Sequence, residues 1–539
     1  MLSFICKILI LIYTFICAKT YDPIKYDWSG QFGIVNQNAS ILWNKDWKSK
    51  RLLFDGTWTN YPKMFGPEIE NGFLNFLDSL DLSDSTKIES YFHYEQGDYL
   101  LDKFSVGLIN RTKNRFSSIH GFKRSFLGNE NQYNSGFTQP LQQSYVASYE
   151  SKHGKDNGGI VLGHFNTLSG FPDLFDIAIF DNRITTSHLF WNRLFGKSKI
   201  LFEVDYFLQK YLNKHNWSEF HSTRFLTRNR YYGNFTYGLK HNRFVFVEFS
   251  KNIRNIKIDS LHSYEWRKTD LGFSVNNLKF FVGVFNNANK NLVDLGFKTE
   301  IKNRPFHAKL NYELNNYLTH PFYHLIERGQ ESVNTTYGQE KVEGSIYIKV
   351  DDNKIMTTLI YLDSDEDYWN SILSDSVDYE VDNIVSDIVL DIPVRKYFGL
   401  ELKYKSLNQK SIFSGGFGRR IAMNIKKQSN LFNGFMKLDI DLGITHFGKR
   451  SRVYFLNPIE MVPNKFYEKD NSSPQDITFV NTKIVANVSS FTIGFEWYNI
   501  HQIIFGYLQN GDSNPIDIYP GIPGTGKQIS LIIEWRFDD

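Results

Sequence analysis

Apolar and polar residues alternate with a period of two along most of this chain. Ile200, Phe202, Val204, Tyr206 and Leu208 interleave with Glu203, Asp205 and Gln209. Ala308, Leu310, Tyr312 and Leu314 face away from His307, Lys309, Asn311 and Glu313. Val342, Gly344, Ile346 and Ile348 oppose Glu343, Ser345, Tyr347 and Lys349, and Trp28, Gly30, Phe32 and Ile34 oppose Asp27, Ser29, Gln31 and Gly33. The cleanest run sets Met436, Leu438, Ile440, Leu442 and Ile444 against Lys437, Asp439, Asp441 and Gly443. Successive side chains of a strand point to opposite faces, so each run predicts a strand with one greasy and one polar face. A dry core does not accommodate a charged face in strand after strand. A membrane barrel with a water-filled or polar-plugged interior requires one.

Polar punctuators separate many of the runs. Asn276-Asn277, Asp351-Asp352-Asn353 and Ser489-Ser490 predict tight hairpin turns at one rim. Longer polar stretches, Gly128–Gln142, Tyr317–Gln339, Asp363–Asp387, Asn457–Gln475 and Asn510–Lys527, predict the loops of the other rim. Counting runs gives roughly 18 to 22 strands, with an even number expected. Residues 62–86 read as a polar or helical excursion between the Tyr26–Ile34 run and the strand that begins at Lys87.

The chain ends on Ile529, Leu531, Ile533, Trp535 and Phe537 along one face, with Ser530, Ile532, Glu534 and Arg536 on the other. An apolar period-two face that finishes on aromatics resembles the C-terminal signature strand of bacterial outer-membrane β-barrel, porin-like proteins. That pattern normally stops on its Phe, whereas here Asp538 and Asp539 follow. The resemblance covers nearly the entire mature chain by pattern and is specific to the architectural class, not to any family within it. It implies an all-β fold: a large closed antiparallel transmembrane barrel with long loops on one side.

Lys7, the apolar run Ile8–Cys17 and Ala18 form an export signal, with the mature chain starting near Tyr21. The run is shorter than the ~20 residues of a spanning helix. Both cysteines, Cys6 and Cys17, fall in this leader, so the mature chain has no disulfide or thiolate chemistry. The expected organisation is a signal peptide over 1–20 and a barrel over 21–539. Mean hydropathy is −0.38, yet 16% of residues are aromatic, with 47 Phe and 31 Tyr. A barrel reconciles the two, because lipid-facing and lumen-facing positions average out while aromatics form interfacial girdles. A net charge of +3 over 539 residues argues against nucleic-acid binding.

Candidate chemistry is sparse. Gly521 to Gln528 nearly spells a phosphate loop, but Gln528 stands where a hydroxyl should meet magnesium, and a strand pattern follows where a helix is needed. It reads as a hairpin loop. Residues Asp363–Asp387 carry nine carboxylates, Asp363, Asp365, Glu366 and Asp367 among them, and no Lys or Arg. Their spacing is not that of an EF-hand; the stretch is a solvated loop or a site for divalent cations. Basic residues gather at Arg111, Lys113 and Arg115, at Lys123 and Arg124, at Arg224, Arg228 and Arg230, and at Arg419 and Arg420 after Gly415-Gly416-Phe417-Gly418. Of these, Arg419, Arg420, Arg111 and Arg115 are the candidates for a pore constriction that favours anions. No hydrolase or metal-ligand motif calls for catalysis or a cofactor.

The sequence therefore predicts an outer-membrane channel or porin passing small polar solutes by diffusion. Its partners would be outer-membrane lipid and lipopolysaccharide, the barrel-assembly machinery and the solute. The alternative is an occluded barrel for surface binding or polysaccharide assembly. The short pre-barrel segment, with no coupling box near Tyr21, argues against an energy-coupled receptor.

Overall fold

A computed structural model of the chain describes residues 69–70, 73–74, 87–125, 127, 141–172, 177–214, 223–239, 243–257, 260–287, 290–303, 305–318, 336–350, 353–364, 383–395, 398–406, 419–449, 454–456, 463–465, 476–500 and 527–538. The leader and the Tyr26–Ile34 run lie outside them. A two-stranded hairpin comes first, β1 (Ile69–Glu70) with β2 (Phe73–Leu74), within the stretch read as polar or helical.

The barrel opens with β3 (Lys87–Gly97), β4 (Leu101–Thr112), β5 (Arg115–Ser125) and β6 (Leu141–His153). It continues through β7 (Asp156–Pro172), β8 (Ile177–Phe195), β9 (Ser198–Lys214), β10 (Thr223–Gly238), β11 (Arg243–Lys257) and β12 (Leu261–Val275). Then come β13 (Leu278–Asn287), β14 (Lys290–Asn303), β15 (Phe306–Leu318), β16 (Thr336–Val350) and β17 (Asn353–Ser364). They lead to β18 (Asn383–Arg395), β19 (Phe398–Ser406), β20 (Arg419–Leu431) and β21 (Met436–Gly448). A small separate hairpin, β22 (Tyr454–Leu456) with β23 (Pro463–Lys465), precedes β24 (Ile477–Val488), β25 (Phe491–Tyr498) and β26 (Gln528–Asp538). The barrel strands pair antiparallel with their neighbours, and β26 closes the ring on β3 from Ser530↔Gly97 to Asp538↔Glu89. The closed barrel has 22 strands, at the upper end of the sequence estimate. Closure pairs every ladder, leaving no strand edge exposed to lipid.

Both ends of the barrel chain, Lys87 and Asp538, lie at the rim of short turns. The two-residue turns there need positive φ, which Gly154 (60°), Gly196 (57°), Asn276 (51°) and Ser489 (53°) supply. The long connections 126–140, 319–335, 365–382, 407–418, 449–476 and 499–527 all leave the opposite rim. The ladders run further toward that rim than composition suggests. Tyr317 and Leu318 belong to β15, Thr336–Gln339 to β16, Asp363 to β17 and Asn383–Asp387 to β18. Polarity marks where a strand leaves the bilayer, not where its hydrogen bonding stops.

Alternation sorts the side chains as expected. On β9, Phe202 and Tyr206 are outward and exposed while Asp205 and Phe207 are buried inside. On β26, Ile529, Trp535 and Phe537 face out, with Trp535 stacked on Phe537 at 4.8 Å, while Ser530 and Ile532 are buried.

Candidate functional site: the inner wall

Where β8, β9 and β10 lie side by side, register sets His188 opposite Asp205 and Asp205 opposite Arg230. His188 Nδ1 donates to Asp205 Oδ1 at 2.5 Å, and Arg230 Nε donates to Asp205 Oδ2 at 2.5 Å. Arg230 Nη2 also reaches Glu203 Oε2 at 2.8 Å. Asp205 has no exposed surface at all. A carboxylate so enclosed needs both of its oxygens to accept hydrogen bonds, and here Oδ1 accepts from the His188 ring and Oδ2 from the Arg230 guanidinium.

A second network sits further round. Lys268 Nζ on β12 contacts Asp294 Oδ2 on β14 at 2.8 Å and donates to Asn315 Oδ1 on β15 at 3.0 Å. Asp294 Oδ1 accepts from the backbone N–H of Asn316 at 2.9 Å. Arg254, itself buried, lies with its guanidinium 4.9 Å from the centre of the Trp266 ring. Glycines make room for the rings of this wall. A Cβ on Gly272 would fall 1.9 Å from the Phe246 ring, and one on Gly296 would fall 1.8 Å from Phe281.

The closing seam has its own buried group: Lys103 Nζ donates to Glu95 Oε2 at 2.7 Å, and Ser530 Oγ donates to Glu95 Oε1 at 3.0 Å. Toward the short-turn rim the wall from β19 round to β3 opens into a cavity of about 730 Å³. Lys426, Lys437, Lys483 and Arg536 line it with Asp439, Asp441 and Glu534. Its ion pairs are mostly long, 3.4 Å for Lys437–Asp439 and 3.8 Å for Lys483–Glu496 and Lys426–Glu401. Lys426 and Lys437 are about half-exposed on these loose partners, so their ammonium groups stay open to a small anion that enters the cavity.

The sequence-derived arginines do not meet. Arg111 faces inward near the short-turn rim, 3.8 Å from Glu89 and over the Phe116 ring. Arg115 pairs with Thr112 on the opposite face, the one that exposes Ile119. Arg419 and Arg420 stand at the long-loop rim. Arg419 shares the outward face of Ile421 and Met423, beside His446 and Asp476, while Arg420 takes the inner-face position opposite Lys405 and Phe447. Asp363 is opposite Glu340 at the end of its strand, and Asp365, Glu366 and Asp367 lie outside the described residues. Among the described residues no group of three or more His, Asp or Glu is placed to hold a metal ion.

A closed 22-stranded barrel with a charged inner wall and an apolar outer one has the architecture of a bacterial outer-membrane barrel. Solved structures agree. The chain is similar to the FrpB iron transporter from Neisseria meningitidis, at 9% identity and a TM-score of 0.63, over 86% of this chain and 84% of that one. It is also similar to the siderophore receptor PirA from Pseudomonas aeruginosa, at 8% identity and a TM-score of 0.58, over 88% and 84%. A mutant of the ferric enterobactin receptor PfeA from Pseudomonas aeruginosa matches at 8% identity and a TM-score of 0.59, over 84% and 81%. At such identities the likeness is one of fold. No protein-family model and no curated protein matches the chain.

Proposed function

We propose that this chain is an outer-membrane uptake barrel that admits a selected solute, with an anionic ferric chelate as the substrate class, in place of a general diffusion porin. Strand number carries the reading. Porins with open aqueous channels have about 16–18 strands, whereas 22-stranded outer-membrane barrels are transporters whose lumen is filled. The solved barrels of this fold are named as iron and siderophore transporters or receptors, which supports the same substrate class here. The lysine-lined cavity at the short-turn rim gives such an anion a favourable exit.

Two measurements on the full mature chain test the proposal. Cells expressing it should accumulate a radiolabelled ferric chelate with saturable kinetics, and the protein inserted in planar bilayers should be nearly silent. Large, stable conductance steps with unsaturable solute flux would restore the open-channel reading. Silence in both assays would favour the occluded surface-binding or assembly barrel.

A further inference from the structure

The cavity at the short-turn rim has a layout that transit alone does not call for. Register stacks its inward side chains in three levels. Nearest the long loops, Lys426 stands opposite Asp441 and Asp441 opposite Lys483. The middle level runs through Gln428, Asp439, Val485, Gly494 and Ile532, each opposite the next. At the rim, Lys437 stands opposite Asn487 and Asn487 opposite Thr492. Above the first level the wall is closed, with Asn424 on β20 and Thr445 on β21 both buried.

The carboxylate at the centre is already satisfied. Asp439 Oδ1 accepts from Gln428 Nε2 at 2.8 Å and Oδ2 from Asn487 Nδ2 at 3.1 Å, while Asn487 Oδ1 accepts from Thr492 Oγ1 at 2.8 Å. Two neutral amides thus take the acceptor edges that Lys437 would otherwise fill, and its ammonium stays 3.4 Å away. Lys426 and Lys483 likewise stand 3.8 Å from Glu401 and Glu496. The spare hydrogen-bonding capacity of these lysines is donor capacity, since an ammonium has three N–H groups and no acceptor. Between the two lysine levels lies an apolar floor of Val485 and Ile532. Gly494 keeps the floor flat between them: a Cβ there would come within 3.1 Å of the Val485 side chain.

We infer that this cavity binds a small organic dicarboxylate with a hydrocarbon middle, one carboxylate held by Lys437 and the other by Lys483 with Lys426 beside it. The spacing fits a two-ended ligand. Asn487, opposite Lys437, is four residues from Lys483, roughly 13 Å along the strand. Lysine stems lie along apolar surface and carry their ammonium groups inward from both ends, which leaves a short span for the ligand. Its hydrocarbon middle covers Val485 and Ile532, and its ends make charge-assisted hydrogen bonds. A volume of about 730 Å³ is that of a small-molecule site. The site belongs to the exit of the proposed uptake path and in that respect rests on that reading, but its occupancy needs no transport.

The test titrates the full mature chain in nonionic detergent micelles with adipate, hexanoate and galactarate, acids of one chain length, and reads binding by isothermal titration calorimetry. Adipate should bind at a single saturable site. Hexanoate lacks the second carboxylate and galactarate carries hydroxyls in place of the hydrocarbon middle, so each should bind about tenfold more weakly. Lys437→Gln/Lys483→Gln should weaken adipate binding by about tenfold or more, since hydrogen bonds to charged groups contribute roughly that factor each. Lys302→Gln on β14, whose lysine pairs with Glu300, should bind adipate as the natural chain does. Heat-modifiable migration verifies that each variant is a folded barrel. Absence of saturable adipate binding, or undiminished binding by the folded double variant, would overturn the inference. Equal binding of hexanoate or galactarate would do the same, as would full displacement of adipate by millimolar sulfate, since the ligand would then be any small anion. A folded barrel that binds no adipate yet takes up ferric chelate loses only this site, and one that binds adipate but transports nothing loses only the uptake function.

Discussion

The tall side of the barrel and the low side use charge in opposite ways. Strands β7–β12 run 15–19 residues, and the ion network of β8–β10 is short and enclosed, 2.5–2.8 Å around an Asp205 with no exposed surface. Strands β18–β26 of the barrel run 8–13 residues, and the lysines of their cavity sit 3.4–3.8 Å from carboxylates with roughly half their side-chain surface open on Lys426 and Lys437. Enclosed ions are matched because leaving one unmatched is costly. Open ions stay loosely matched because water already solvates them, and that leaves them available to a passing solute.

Removing Asp205 gives the largest expected effect. Asp205→Ala would remove the enclosed carboxylate that His188 and Arg230 share, and breaking a buried pair costs about 3–5 kcal/mol. Lys437→Ala in the cavity should cost less than about 1 kcal/mol, since its half-exposed ammonium is paired with Asp439 only at 3.4 Å and such pairs contribute little. Urea unfolding of both variants in lipid vesicles, followed by tryptophan fluorescence, measures the difference. Equal losses would dissolve the contrast between the two sides.

Part of this was legible in the sequence. Alternation alone sorts residues into inner and outer faces, and the turn Gly196–Lys197 pairs Phe195 with Ser198, so stepping inward brings His188 opposite Asp205. The third member was hidden. β9 and β10 are joined through residues 215–222, whose length fixes no register, so nothing in the sequence aligned Arg230 with Asp205. The lysine cavity gathers β19 to β21 and β24 to β3, the last reached only through barrel closure, and it carries no local motif. The fold itself was legible because period-two patterning needs no long-range information.

Gly272→Val probes the tall side by volume instead of charge. The Phe246 ring occupies the space a Cβ would need, and overpacking of this kind costs about 1–3 kcal/mol. The same vesicle unfolding assay reads it; a loss near zero would mean that the ring can swing away and that the tall side is less tightly packed than its contacts imply.

On the low side, Lys437→Gln with Lys483→Gln should leave stability within about 1 kcal/mol, because both lysines are partly exposed and long-paired. Uptake of an anionic chelate should nevertheless fall several-fold, and a neutral solute of the same size should be unaffected. A parallel loss for both solutes would mean that the lysines shape the cavity without providing its charge preference.

The smallest effect separates the two arginines that look equivalent in sequence. Arg419 lies on the face of Ile421 and Met423, beside His446 and Asp476, so its charge is shielded from the lumen by the wall itself. Arg420 occupies the inner-face position one residue on. Arg419→Ala should therefore leave chelate uptake at the natural level, while Arg420→Ala lowers it modestly. One residue of strand reverses the face, and the apolar sequence Ile421, Met423, Ile425 already carries the parity that assigns Arg419 to the outside. Loss of uptake in Arg419→Ala matching that in Arg420→Ala would mean that rim loops, not the barrel wall, decide which cations a solute meets.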